Sequence, residues 1–298
     1  MTMKKIDSDS LVTAQIAGDS IKITTALGTT SPIMKRYDKD HMLNTKTGEV
    51  VEIKHADKRT DLQNRRSLMK TFEKIRMLIN ANFLGGKNQL FVTLTYKESP
   101  MSDSVRLYSD FKAFMKRLRK KVGTYIAYLV VIEPTAKGGW HAHCLMKRLD
   151  GKTFYLKNAE MACLWSQGFV NVRRVKQSDN LARYLSAYLG DIDLNNLDDE
   201  VKDKDAPKNI IKGGRLSFYP TGMRIYRTSR QGIKKPLKIK NVKEKIEKKY
   251  GLNNVSPTFY KSFDIVDSNL NFRTIEVEYY SRKKAELKRA MAKIERKA

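Results

Sequence analysis

The stretch TYIAYLVVIEPTAKGGWHAHCLMK, Thr124 to Lys147, decides the fold. Its first half is a run of β-branched and apolar residues ending at Pro134, the pattern of a strand buried on both faces. The Gly-containing run TAKGGW then reverses the chain into a second strand, HAHCLMK, and so short a connection joins antiparallel neighbours. Side chains alternate along a strand, so His141 and His143 project from one face while Ala142 and Cys144 point into the other. These two are half of the chain's four histidines.

Working outward, QLFVTLTY (89–96) reads as another buried strand. SVRLYSDFKAFMKRLRKKVG repeats Leu107, Phe111, Phe114 or Met115, and Leu118 at helical spacing and stops at Gly123. On the far side NAEMACLWSQG is a helix, FVNVRRV a strand, and SDNLARYLSAYLG a helix with Ser178 as N-cap and Gly190 at its end. Strand, helix, strand, strand, helix, strand is the order of the split βαβ plan. The predicted fold class is therefore α+β: a ferredoxin-like antiparallel sheet with helices on one face.

Ahead of this core, TDLQNRRSLMKTFEKIRMLINANF from Thr60 is a basic amphipathic helix with Leu62, Met69, Phe72, Ile75 and Ile79 on its apolar stripe. Residues 1–59 are polar and mixed, with a hairpin reading around Thr47-Gly48. After the last core helix, DIDLNNLDDEVKDKD is an acidic, solvated loop, and a further strand is expected at Arg215 to Phe218. Beyond Pro236 the chain is a basic extension, in which LKIKNVKEKIEKKYG and SRKKAELKRAMAKIERKA read as helical and FRTIEVEYY as β-like. The expected organisation is 1–59, 60–236 and 237–298.

Among 298 residues, 59 Lys and Arg face 32 Asp and Glu, a formal net charge of +27. That balance calls for a polyanionic partner, with nucleic acid the leading class. Two cysteines, Cys144 and Cys163, leave no disulfide framework and no Cys-based zinc site. The start carries no apolar run behind its lysines and nowhere do 18 apolar residues follow one another, so neither signal peptide nor membrane span is expected, and the predicted location is cytoplasmic. GGKNQL at Gly85 lacks the P-loop spacing, so any ATP-driven unwinding must come from a helicase acting in trans.

Chemistry gathers at three places. The hairpin brings Glu133 alongside His141 and His143, giving two nitrogens and a carboxylate on one sheet face, a partial site suited to a divalent ion that also holds substrate. Tyr184 and Tyr188 stand four residues apart on one helix face. A phenol aimed at a metal-bound phosphate would leave a phosphotyrosyl link. Arg173, Arg174, Arg183, Arg224, Arg227, Arg230, Lys234 and Lys235 supply phosphate contacts, and the aromatics of RLSFYPTGMRIYRTSR offer stacking surfaces for single-stranded bases. His41 and His55 belong to no such cluster.

FVTLTY (91–96), VVIEP followed by WHAHCLM (130–146), and ARYLSAYLGD (182–191), in that order, resemble the three motifs of HUH (His-hydrophobic-His) rolling-circle replication initiators. The closest likeness is to replication-associated proteins of Gram-positive plasmids and integrative elements, related to the filamentous-phage gene II nickase. It covers roughly Thr60 to Pro236, from LINANF to SRQGIKKP. The resemblance implies an HUH endonuclease fold, Mg²⁺ or Mn²⁺ held by His141 and His143 with Glu133, and nicking of single-stranded or hairpin origin DNA by Tyr184 or Tyr188. The tyrosine keeps the 5′ phosphate and a 3′ hydroxyl is left as primer. Tyr184 attacks first by its place in the motif, and Ala187 and Asp191 stand where several two-tyrosine relatives carry Lys. Two other functions fit parts of the pattern: a conjugative or mobilisation relaxase, and a non-enzymatic single-stranded nucleic-acid binder that leaves the histidines without a task.

Overall fold

The computed structural model describes residues 5–27, 34–54, 62–98, 100–135, 139–175, 219, 223–253, 255–266 and 272–283. The chain divides into two units, Lys58–Pro236 and a second built from Met1–Asp57 together with Leu237–Ala298.

The N-terminal part of the second unit contributes β1 (Leu11–Ala17), β2 (Ser20–Thr24), β3 (Met34–Arg36), β4 (His41–Asn44) and β5 (Val50–Glu52). The last three form a small sheet, and the turn predicted at Thr47-Gly48 joins β4 to β5. The other unit holds α1 (Leu62–Asn82), β6 (Gln89–Thr95), α2 (Ser104–Val122), β7 (Ile126–Pro134), β8 (Trp140–Arg148), α3 (Asn158–Trp165), β9 (Val170–Arg174) and β10 (Tyr226–Thr228). The chain then returns with β11 (Leu237–Val242), α4 (Lys243–Tyr250), β12 (Phe259–Val266) and β13 (Phe272–Ser281).

In Lys58–Pro236 the strands lie in the order β10-β7-β8-β6-β9, every neighbouring pair antiparallel. Leaving aside the added edge strand β10, the order is second, third, first, fourth, the ferredoxin-like arrangement expected from the sequence. The α2 helix starts at Asp103, whose carboxylate accepts from the Val105 and Arg106 amides at 2.8 and 3.1 Å, and ends where Gly123 turns left-handed at φ 70°. Its stripe Leu107, Phe111, Phe114, Met115 and Leu118 is buried, each such side chain stabilising the fold by about 1.5–3 kcal/mol. Phe111 meets Tyr128 of β7 edge-on at 5.1 Å, and Phe114 meets Trp165 of α3 at 5.8 Å. These contacts place α2 and α3 on the face that carries Tyr128, Val130 and, across the register, Cys144 and Met146. On the opposite face Phe91, Leu129, Val131 and Leu145 are also buried. There Asn82, at the end of α1, lies within 3.3 Å of the Lys147 ammonium.

Two features depart from the sequence reading. LKIKNV, expected as the start of a helix, is strand β11, and the helix begins only at Lys243. Its Leu-Lys-Ile-Lys alternation has period 2, and it pairs antiparallel with β1, 221 residues upstream at the Leu237↔Ile16 end and 231 at the Val242↔Leu11 end, a partner no local pattern reveals. The flanks read as separate regions, 1–59 and 237–298, share one five-stranded sheet in the order β11-β1-β2-β13-β12. The helix and strand expected at 178–190 and 215–218 lie outside the described residues.

Candidate active site

Register builds the site. Glu133 of β7 and Thr95 of β6 are the cross-strand partners of His141, while Val131 and Thr93 flank His143. Cross-strand partners share a face, so the carboxylate, both imidazoles and both threonines stand together on the face away from α2. The mouth of the hairpin is pinned behind them. The Trp140 amide donates to Met101 O at 3.0 Å and its indole N–H to Ser102 O at 2.7 Å. At Gly139 a Cβ would stand only 3.1 Å from Met101 N and 3.3 Å from Pro100 Cα, so the glycine permits this close approach.

Glu133 and His143 are 6% and 7% exposed. His143 Nε2 lies 2.6 Å from Glu133 Oε2, and Nδ1 lies 3.2 Å from Thr93 Oγ1. Phe91 stacks on the imidazole, with centroids 5.8 Å apart and planes 11° from parallel. The ring is thus held at both nitrogens and on one side. With Nε2–H donating to the carboxylate, the Thr93 hydroxyl donates to Nδ1; with Nε2 stripped for a metal, Nδ1–H donates to Thr93. Thr93 serves either tautomer, which makes it a positioning residue that the sequence reading missed. Its signal was present: Thr93 and Thr95 alternate in FVTLTY, in step with the two histidines.

Among the described residues no three His, Cys, Asp or Glu side chains converge on a common point. The His141 and His143 centroids are 6.4 Å apart, planes at 74°, whereas two imidazoles on one tetrahedral ion at about 2.1 Å per bond have centroids roughly 5 Å apart. The donor types fit a divalent ion, and two nitrogens with one carboxylate leave positions open for phosphate oxygens. Bringing them onto one ion takes a rotation of His141 toward His143 and an opening of the Glu133–His143 contact by a few tenths of an ångström. Both are side-chain motions on an unmoved sheet.

The basic residues separate. Arg173 pairs with Phe91 and so lies on the histidine face, while Arg174, paired with Leu90, lies on the helix side; both are exposed. Arg224, Arg227 and Arg230 line a groove of about 790 Å³ along β10, with Ser67 and Thr71 of α1 and Tyr128 of β7. The Arg227 guanidinium sits 3.3 Å from the centre of the Tyr108 ring, and the Tyr108 hydroxyl donates to Arg224 O. Burial raises the Tyr108 pKa against the pull of Arg227, so the phenol stays a neutral donor. Lys234 and Lys235 are exposed, and Lys234 is tied through its backbone to the Asn82 amide, with both bonds 2.7 Å. Below it Lys147, on the histidine face, has its pKa lowered by burial and then by Lys234. Tyr184, Tyr188, Arg183 and His55 lie outside the described residues. His41 is paired with Asp38 at 2.9 Å, in the terminal unit.

Residues 89–193 match the model of the family of replication-associated proteins of the ORF2 and gene II protein type. The match opens at β6, spans Glu133, His141 and His143, and continues through Tyr184 and Tyr188, so it supports the resemblance to rolling-circle replication initiators. Comparison with curated proteins finds no match. Among solved structures, the N-terminal nuclease domain of minute virus of mice non-structural protein 1 aligns with 83% of this chain and 78% of its own at 10% identity, with a TM-score of 0.15. An alignment at that score carries no argument about fold or site. No described helix is long and apolar enough to cross a membrane.

Proposed function

We propose that this chain initiates rolling-circle replication by nicking and rejoining one DNA strand at an origin, with the nicking and joining centre in residues 60–236. The observation that carries the reading is the cluster of Glu133, His141 and His143 on one sheet face, inside the segment that matches the replication-associated family. Glu133, His141 and His143 would hold Mg²⁺ or Mn²⁺, which would supply Lewis-acid stabilisation of charge on the phosphoryl oxygens. Around it, Thr93 and Phe91 orient His143. Arg173 on the same face and the Arg224–Arg227–Arg230 groove hold phosphates of the single-stranded or hairpin origin.

Tyr184 is the nucleophile for the first nick and Tyr188 for the second transfer. The phenolic oxygen attacks the scissile phosphorus, the P–O3′ bond breaks, the 3′ oxygen takes a proton and the 5′ phosphate stays on tyrosine. One phosphodiester is exchanged for another, so attack by a 3′ hydroxyl reverses the step without an external energy source. A phenol of pKa near 10 is short of its ionised form at pH 7 by about 4 kcal/mol, which is what the cationic surroundings of the site must offset. A helicase would act in trans. The test is a single-stranded origin oligonucleotide, labelled on either side of the nick and incubated with Mn²⁺. Label retained on protein only from the 3′ side of the nick supports the 5′-phosphotyrosyl intermediate. Absence of any adduct with cognate DNA favours a pure binder.

A further inference from the structure

The five-stranded sheet of the terminal unit sorts its side chains by charge. Following the register outward from β1, one face carries Lys238 and Lys240 on β11, Thr13 and Gln15 on β1, and Lys22 and Thr24 on β2. The same face continues with Ile275, Val277 and Tyr279 on β13, and Phe259, Lys261 and Phe263 on β12. The acids, Asp264, Glu276 and Glu278, fall on the other face with Tyr260 and Tyr280, where Tyr260 O–H donates to Glu276 at 2.5 Å. A strand that alternates apolar-in and polar-out explains Ile275 and Val277, which are buried. It does not explain Phe259 and Phe263, which are 53% and 46% exposed on the outermost strand.

The exposed strip is ordered. Phe259 packs on its partner Tyr279 with centroids 5.9 Å apart. The Lys22 ammonium lies 5.8 Å from the centre of the Tyr279 ring, and that of Lys261 lies 5.8 Å from Phe263. Two rings thus flank one lysine along an edge strand, about 14 Å apart at 3.4 Å per residue, on a face whose described residues include no carboxylate. We infer that this strip is a second nucleic-acid site, separate from the nicking centre, that binds a single strand without sequence preference by stacking bases on Phe259 and Phe263 and meeting a phosphate with Lys261. Ring faces accept any base, and a lysine between them meets the backbone charge that every sequence carries. A duplex keeps its base faces stacked inside and offers such rings nothing.

The test uses the full chain with a 20-nucleotide oligo-dT, which lacks any origin sequence. With 5-iododeoxyuridine in the strand, ultraviolet crosslinking followed by peptide mass spectrometry should place adducts on Phe259 or Phe263. Phe259→Leu and Phe263→Leu remove the ring face at solvent-exposed positions. Each should weaken single-strand binding about tenfold with the salt slope unchanged, whereas Lys261→Ala should lower that slope by about 0.7. Binding of a 20-base-pair duplex should not change. Adducts only elsewhere together with unchanged affinity would overturn the inference, and so would an equal loss on the duplex. His143→Ala should crosslink as the wild type does, so failure here and failure of the nicking reading are distinguishable.

Discussion

Glu133→Gln separates the metal role of the cluster from its structural one. The glutamine is isosteric and its amide oxygen still accepts from His143 Nε2–H across the 2.6 Å contact. What changes is charge. A hydrogen bond to a charged group contributes about 1.5–3 kcal/mol and a neutral one about 0.5–1.5, a difference near 1 kcal/mol, which is reduced because a carboxylate only 6% exposed no longer has to be desolvated. At the size of this unit, 1 kcal/mol is a shift of about 2–4 °C in Tm. Metal binding should respond more strongly, because the carboxylate is the single anionic donor of the three. Changing groups that merely support a metal ligand lowers affinity about 10–100-fold, so replacing the ligand itself should raise the Mn²⁺ needed for half-maximal nicking by at least tenfold, with activity recovered at high Mn²⁺. Thermal unfolding and a Mn²⁺ titration of nicking on the same preparation measure both. A titration that overlays the wild type would refute the assignment of Glu133 as a ligand and leave it only the task of orienting His143.

Thr93→Val removes the partner of His143 Nδ1 and should raise half-saturating Mn²⁺ about 10–100-fold while unfolding shifts little; an unchanged titration would show that Thr93 does not set the tautomer. Tyr184→Phe should eliminate most covalent adduct, Tyr188→Phe should spare the first nick but impair termination, and an adduct formed by the double variant would remove both from the chemistry. Replacing Arg224, Arg227 and Arg230 by Ala should lower the salt slope of single-strand binding by up to about 2, at about 0.7 per phosphate contact; an unaltered slope would show that the groove holds no DNA. In the terminal unit Lys243 and Glu278, 1% and 0% exposed, pair at 3.0 Å. Lys243→Met should destabilise that unit by about 3–5 kcal/mol, and pairing it with Glu278→Leu should recover most of the loss, as read by denaturant unfolding.

The central core was legible because its elements announce themselves locally. A helix with an Asp before it and a Gly after it, and strands of unbroken apolar character, fix both type and boundary within a few residues, and the order of elements then leaves few topologies. The strand β10 was not legible: Tyr226–Thr228 is three residues inside RIYRTS and exists because β7 offers it an edge. The terminal sheet was not legible either. Each of its strands is short and basic, and the burial of Val12, Ile21, Ile23 and Tyr280 in one cluster depends on pairing ends of the chain more than 200 residues apart.

For the site, sequence by itself determined which residue types share a face. Period-2 alternation and the hairpin bring Glu133, His141 and His143 together, whatever the rest of the molecule does. Tertiary structure decided how they meet. The pairing of β8 with β6 puts Thr93 at His143 Nδ1 and Phe91 against its ring, and burial leaves the imidazole 2.6 Å from Glu133. It also sorted the predicted arginines, sending Arg173 to the site's face and Arg174 to the other, a difference of one residue in register. Alternation is a property of the backbone and can be read along the chain. Contacts between strands depend on which distant segment wins the neighbouring edge, and that is settled only when the whole sheet buries its apolar surface.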